Sequence, residues 1–348
     1  MGGIRYDMRL FNGHDNYIDA AGNELPASYP NAIHRFIAYT SNFNGLSGSL
    51  GSTFNMDKNF YLKANIAQGF RAPNVAESGS NGIHDGTVVY EIGSPDLKPE
   101  KNIQIDFAAG VHSKDITAEI ALFNNQVNRF IYPKAVYDSN GKPVLNNSTP
   151  GFPNAPVFKY TQGDAILRGG EVVLDIHPST WPWLDFYAGY SLVDAYLKNQ
   201  PDSTRNLPFI PPARLKSEVT FTAKNIGSHL SNTYFKIGLL HSFEQKNLYQ
   251  QNAIYTGLSS YELQASQTPT QGYTLLNIGL GSDIVQNNHK LYTVFISIDN
   301  LADIPYMDYM SRFKYYPVNL AGNNRVGVYN MGRNASIKLI IPINSSKN

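Results

Sequence analysis

Apolar and polar residues alternate with a period of two along most of the chain, the spacing of a pleated strand and not of a helix. Over 103–111, Ile103, Ile105, Phe107, Ala109 and Val111 share one face, and Gln104, Asp106, Ala108 and Gly110 share the other. Over 214–224, Leu215, Val219, Phe221 and Ala223 form an apolar face interrupted by Ser217, opposite Arg214, Lys216, Glu218, Thr220, Thr222 and Lys224. Equivalent runs near 3–11, 45–55, 59–70, 100–112, 116–130, 157–176, 183–197, 213–224, 233–244, 271–283, 290–299 and 333–343 predict about twelve strands. Many exceed the ~5–6 residues usual for soluble strands and are long enough to cross a bilayer at a tilt and continue beyond it.

The connections between these runs alternate in length. Short ones hold Met56-Asp57-Lys58, Ser113-Lys114-Asp115, Pro178 to Pro182, Asn225 to Asn232 and Gln286 to His289; long ones run near 12–44, 71–99, 131–156, 198–212, 245–270 and 300–332. Outer-membrane barrels segregate short periplasmic turns from long extracellular loops in this way. The pattern therefore predicts an all-β, transmembrane antiparallel β-barrel of about 12 strands. Phe60, Leu62, Ala64 and Ile66, like Tyr292, Val294, Ile296 and Ile298, would meet lipid, while Lys63, Asn65, Thr293, Ser297 and Asp299 would face a lumen. Tyr61, Phe70, Trp181, Trp183, Tyr234, Phe243, Tyr273 and Tyr292 are expected in an interfacial aromatic girdle. A soluble all-β sheet protein is the other fold that periodicity alone allows.

Composition narrows the function classes. The 348 residues carry 28 Lys plus Arg against 27 Asp plus Glu, a net charge of +1, which gives no field to gather phosphates and argues against general nucleic-acid binding. Charged residues are 16% and aromatics 12%, few solvated charges and many amphipathic rings. The absence of cysteine removes disulfides, thiolate nucleophiles and Cys-ligated metal centres. No apolar stretch approaches the ~18 residues of a membrane-spanning helix. The start, Met1-Gly2-Gly3 followed by an alternating run to Leu10, has no signal-peptide pattern, so an exported chain is expected to begin upstream of it.

Gly69-Phe70-Arg71-Ala72-Pro73-Asn74-Val75-Ala76-Glu77 and Gly93-Ser94-Pro95-Asp96-Leu97-Lys98-Pro99-Glu100-Lys101-Asn102 closely resemble the paired G-F-R-A-P-x-x-x-E and N-P-x-L-K-P-E motifs of TonB-dependent outer-membrane receptors, in order and spacing. Ile298-Asp299-Asn300-Leu301-Ala302-Asp303-Ile304-Pro305-Tyr306 is similar to the family's strand exit V-x-N-L-F-D-x-x-Y, and Gly332-Arg333 to the G-R that opens its closing strand. The wording is closest to receptors of the Bacteroidota type, and the resemblance covers essentially the whole chain.

That resemblance implies a 22-stranded plugged barrel in the outer membrane of a Gram-negative bacterium, of which residues 1–348 are the C-terminal half of the β-barrel region. The plug, the TonB-contacting segment and the first strands are then absent. It also implies uptake of a scarce nutrient, an iron chelate such as a siderophore or haem or another metal. The partners would be the TonB complex acting through the missing N-terminal plug and outer-membrane lipid, with no cofactor and no nucleic acid. Lumen residues such as Lys216, Glu218 and Asp106 would hold the plug. The family usually ends its last strand in Phe or Trp, whereas here Ile337-Lys338-Leu339-Ile340-Ile341-Pro342-Ile343 leads into a polar tail, a departure that bears on assembly.

The motif residues Phe70, Arg71, Pro73, Glu77, Pro95, Leu97, Pro99, Glu100, Gly332 and Arg333 are expected to be structural. The prolines stop sheet propagation, Gly332 permits a tight turn, and Arg71, Glu77 and Glu100 can pair near the rim. No Gly-x-Ser-x-Gly elbow, His-Glu-x-x-His helix or Walker loop is present, and Gly45-Leu46-Ser47-Gly48-Ser49 lacks the second glycine, so no enzyme is expected. The alternative of another class is a self-contained 12-stranded outer-membrane pore or hydrolase. It predicts pairing between 3–11 and 333–343, where the receptor reading predicts unpaired edges.

Candidate ligand contacts lie in the long connections. His14, Asp15, His34, His84 and Asp85 suit a metal by chemistry but have no ligand spacing. The stretch 308–316 is similar to a loop in the branch that includes zinc-uptake receptors, although Tyr309 stands near the position of a frequent His. Tyr90, Tyr132, Tyr137, Tyr255, Tyr261, Arg312, Tyr315 and Tyr316 could stack on aromatic chelators and pair with their anionic groups. The chelate and the metal readings both stay open on these residues.

Overall fold

The computed structural model describes residues 1–84, 89–147, 149, 154–249, 269–287, 289–315 and 327–342. Twelve long strands follow in chain order: β1 Gly2–Gly13, β2 Tyr39–Asn55, β3 Phe60–Arg71, β4 Glu100–His112, β5 Ile116–Ala135, β6 Ala155–Ile176, β7 Leu184–Leu197, β8 Arg214–Ile226, β9 Leu230–Ser242, β10 Tyr273–Gln286, β11 His289–Asp299 and β12 Asn334–Ile340. Each pairs antiparallel with the next, in sequence order, within one sheet. Among the described residues β1 pairs only with β2 and β12 only with β11, so both edges are open. No helix among them is long and apolar enough to cross a membrane.

The wall is packed inside out relative to a soluble sheet. Ile4, Ile105 and Ile337 are 87%, 56% and 73% exposed, while Gln104, Asp106 and Ala108, between and beside Ile103, Ile105 and Phe107 on β4, are more covered. An exposed apolar face of this extent in water would be an aggregation surface; against hydrocarbon it is the low-energy arrangement. β6, with 22 residues, reaches about 70 Å at the usual strand rise, so much of it extends past a hydrocarbon layer of about 30 Å.

That extension carries the aliphatic core. Val127, Tyr132, Ala165, Ala195, Leu197 and Leu207 form a buried cluster with Phe130, Leu167 and Ile210 against it. The register of β5 against β6 shifts between Val127 and Phe130, with Arg129 at φ 60°. The extra residue moves the inward face from odd to even positions, which is why Val127, Phe130 and Tyr132 meet in one cluster. Asp164 accepts the Arg129 amide at 3.0 Å, and Gln162 donates to the Arg129 carbonyl at 2.9 Å.

The long connections are folded onto this wall. Glu24–Leu25, Asn16–Ile18 and Ile33–Phe36 form a three-stranded sheet in that order. Asn81–His84 pairs with Val89–Ile92, and Val89–Ile92 pairs in parallel with Val157–Lys159 of β6. Leu145–Asn146 pairs with Ala155 and Pro156. None of these short strands was predicted, because two to four residues carry no periodicity to read. β2 begins at Tyr39 and not near 45, and β5 continues to Ala135 and not 130, so the flanking connections are shorter than expected.

The girdle expectation needs correction at three positions. Trp181, Trp183 and Phe243 are exposed at strand ends. Tyr61 instead turns inward and donates to Glu119 at 2.7 Å, and Tyr273 donates to Asp308 at 2.7 Å. Tyr234 lies on the face of Lys236 and meets Phe295 at 6.5 Å, opposite the exposed Phe235 and Ile237. In each case the phenol finds a polar or aromatic partner inside, which an amphipathic ring satisfies as well as it does a headgroup.

Candidate functional site

The lumen face is built from polar residues at alternate positions of neighbouring strands. Glu119 accepts from Tyr61 and, at 2.8 Å, from Lys63. Asp106 accepts from Asn65 at 2.9 Å and Gln104 at 2.6 Å. Lys236 pairs with Glu218 at 3.2 Å, and the Lys216 ammonium stands 5.6 Å from the Tyr187 ring centre. A concavity of about 1030 Å³ opens over this carpet between β1 and β6, lined among others by Ser49, Lys63, Asn65, Gln104, Asp106 and Glu171.

At the end of β3 and the start of β4, Arg71 and Glu100 are cross-strand partners. Arg71 donates Nε and Nη2 to Glu100 at 2.8 and 2.6 Å and Nη1 to both Glu77 oxygens at 2.9 Å. Glu77 also closes a capping box with Asn74 at the start of the short helix Val75–Gly79. Glu100 takes the Ile131 amide of β5 at 2.6 Å. The two ends of the connection 72–99 are thereby joined: Ser94 donates its amide to the Glu77 carbonyl and Gly93 to that of Ser80. A Cβ on Gly93 would lie 2.6 Å from the Gly79 nitrogen, so the approach needs glycine. Pro73 and Leu97 are buried, whereas Pro95 is exposed and Pro99 partly so. Phe70 packs against Gly45.

The connection 14–38 leans on that unit. Asn81 donates to the His34 carbonyl at 2.7 Å, Arg35 to the Ile83 carbonyl at 2.6 Å, and Ile37 to the Gly79 carbonyl at 3.0 Å. The His34 and Asp15 side chains meet at 2.7 Å, and His34 stacks on Tyr17 at 4.4 Å. The Ala38 amide, then His34, holds the Asp15 carboxyl below its ordinary range. Tyr90 donates to Asn81 at 3.0 Å. Thus His34, Asp15 and Tyr90 are brought into one loop cluster; His14 is not part of it, and His84 lies exposed at the end of Asn81–His84. Asp85 lies outside the described residues. Among the described residues no three His, Asp or Glu side chains are gathered to hold a metal ion.

The connection 300–333 forms the other side. Asp308 accepts from Arg214 at 2.6 Å and from Tyr273 at 2.7 Å. Arg312 stacks on Phe209 at 4.2 Å and Lys314 on Tyr309 at 3.9 Å. Burial pushes the Lys314 ammonium down to about 7. Gly332 and Arg333 are fastened to the strand exit. Asp303 takes the Arg333 amide at 2.7 Å, and Arg333 donates Nε to the Leu301 carbonyl at 2.8 Å. A Cβ on Gly332 would crowd Asp303 at 2.6 Å. Tyr132 is in the core cluster. The backbone of Tyr315 closes the turn Arg312–Tyr315, while Tyr255, Tyr261 and Tyr316 lie outside the described residues. Sequence reasoning missed Asp308 with Arg214, and Tyr160 with Glu91 at 3.1 Å, since no local pattern joins partners so distant along the chain.

A family model described as TonB dependent receptor-like, beta-barrel matches residues 1–301. Among solved structures the chain is similar to the copper transporter OprC, at 17% identity, TM-score 0.69, covering 98% of this chain and 44% of that one. It is similar to the ferric-catecholate import receptor Fiu from E. coli K12, at 15% identity, TM-score 0.60, with 98% and 42% covered. The ferric yersiniabactin uptake receptor FyuA from Yersinia pestis follows at 15% identity and TM-score 0.58, again with 98% and 42% covered. The chain spans less than half the length of these proteins, and at such identities the likeness is one of fold.

Proposed function

The chain belongs to the TonB-dependent receptor β-barrel family, whose members are outer-membrane proteins of Gram-negative bacteria, and from that premise we propose that it is the C-terminal barrel region of a receptor importing a scarce metal as its chelate. The cargo of this reading is a ferric siderophore or haem, or another metal carried in the same manner. The uptake step draws its energy from the TonB complex through a plug held against the lumen carpet.

The observation that carries the reading is the mouth. Cationic and aromatic groups, Arg312 over Phe209 and Arg35 beside Tyr90, stand on connections braced to the wall by ion pairs and backbone hydrogen bonds. Rings and guanidinium groups held in place recognise planar, anionic chelates at little ordering cost. The open edges of β1 and β12 favour this reading over a self-closed pore or hydrolase.

The test is uptake of iron-55 as ferric catecholate, ferric hydroxamate or haem by cells expressing the complete protein, with and without TonB. Accumulation of one of them that disappears without TonB supports the reading. Equal accumulation in both strains overturns it.

A further inference from the structure

On β5 and β6, Lys134 and Lys159 are directly opposed cross-strand partners. Like charges in that relation repel, and antiparallel sheets disfavour them. Among the described residues neither ammonium has an ion-pair or hydrogen-bonding partner. Both lysines line a single cavity of about 520 Å³, together with Ser94, Thr161, Tyr160 and Asp96. The Tyr160 hydroxyl is committed to Glu91, and Asp96 forms no ion pair with either lysine. The walls of the cavity are held, since Gln162 beside it exchanges two hydrogen bonds with the Lys98 backbone, at 2.8 and 2.7 Å. Two apposed cations with hydroxyl residues around them, in a braced hollow, are an arrangement that an anion would complete.

We propose that this cavity binds the oxyanion of a phosphate ester, seated between the Lys134 and Lys159 ammonium groups. Ammonium groups are point charges whose donors fan out in three dimensions, which suits a tetrahedral oxyanion. A planar carboxylate is better met by the fork of an arginine. Ser94 and Thr161 add neutral donors, and Asp96 is an acceptor for a hydroxyl on the group that bears the phosphate. The anion converts a repulsive pair into two charge-assisted hydrogen bonds. The site is distinct from the Arg71 clamp and does not depend on the transport reading. Lys134 follows Phe130 and Tyr132 on the inward face, so the source of that chemistry is a soluble phosphorylated nutrient, and a phosphorylated lipid headgroup of the outer leaflet is the competing source that the test separates from it.

The experiment uses the complete protein purified from outer membranes in detergent. Titration calorimetry is run with inorganic phosphate and with glucose 6-phosphate, and phosphorus in copurified lipid is measured per mole of protein. Saturable binding of the phosphates is expected, weakened about tenfold or more in Lys134→Met and Lys159→Met and unchanged in Lys142→Met on the exposed turn. If lipid phosphorus falls in the same two variants and the soluble phosphates do not displace it, the headgroup is the source; if they do, the source is soluble. Thermal unfolding guards against a folding artefact. Lys134→Met should raise the transition temperature in phosphate-free buffer and lower it, relative to wild type, in saturating phosphate. Phosphate and lipid phosphorus that bind equally to wild type and lysine variants, or to neither, would overturn the proposal.

Discussion

Arg214 donates Nη2 to the Asp308 carboxylate at 2.6 Å across 94 residues of chain, fastening the connection 300–333 to β8, a strand it neither follows nor precedes. Asp308 also takes the Tyr273 hydroxyl and the Met310 amide, so its removal strands three donors at once. Asp308→Ala should destabilise the docked connection by about 1–3 kcal/mol, while Tyr273→Phe, losing one hydrogen bond to that carboxylate, should cost about 1.5 kcal/mol. Hydrogen exchange at the amides of Met310 and Val328 reads both; equal protection in Asp308→Ala and wild type would refute the role.

Arg71 stands between two carboxylates that are mostly covered, Glu77 and Glu100. Arg71→Leu leaves them facing each other without a cation, a loss of about 3–5 kcal/mol. Arg71→Lys should recover only part of it, since one ammonium cannot repeat two forked contacts. Limited proteolysis within 72–99 on intact cells measures the outcome, and wild-type resistance in Arg71→Leu would show the clamp to be dispensable.

Lys314 gives the connection 300–333 a pH dependence of definite sign. Burial first, with repulsion from Arg312 and against the attraction of Asp308, brings its ammonium from 10.5 to about 7. Between those values the unfolded segment binds more protons than the folded one, so folding of the segment strengthens as pH rises from about 7 toward 10.5 and is weakest below about 7. Exchange protection at Val328, whose amide donates to the Phe313 carbonyl, should rise across that window after correction for intrinsic rates. In Lys314→Met the rise should vanish; a rise of the same size would refute the assignment.

The two faces of β4 should respond oppositely to charge. Ile105→Lys, on the exposed face, should cost about 2–4 kcal/mol of membrane-inserted stability near the midplane, whereas Gln104→Lys, on the lumen face beside Asp106, should be tolerated. Heat-modifiable mobility in gels reports the assembled fraction of each.

Asp106, Lys216 and Glu218 are expected to hold the plug of the complete receptor. Replacing all three with alanine should increase the passage of large antibiotics through the outer membrane and reduce chelate uptake, both measured in cells. Unchanged exclusion and uptake would remove these residues from that role.

How much of this was legible in the sequence follows from the range of each interaction. The twelve strands were visible because Ile103, Ile105 and Phe107 need only their own spacing to declare a face. The partnership of Arg71, Glu77 and Glu100 was legible through two motifs at fixed separation. The inward turn of Tyr61 was legible in the lipid-facing Phe60 and Leu62 on either side of it, but the girdle expectation weighed ring chemistry above that alternation; an amphipathic ring satisfies a headgroup or an interior partner equally well, so type alone did not place Tyr234 or Tyr273. Arg214 with Asp308, and Val89–Ile92 beside Val157–Lys159, left no local trace, because their partners come together only once the sheet exists.

The parallel pairing of Val89–Ile92 with Val157–Lys159 sets an order of events in assembly. Antiparallel neighbours can be added to a growing sheet hairpin by hairpin as the chain is delivered. Val89–Ile92, by contrast, has Asn81–His84 on one edge, and its other edge must reach past β4 and β5 and wait for β6 before it is paired. The segment therefore acts as a clasp shut late, over a wall already laid down. A chain stalled after β5 would expose the edge of Val89–Ile92 to the assembly machinery and to proteases, while one that had completed β6 would hide it.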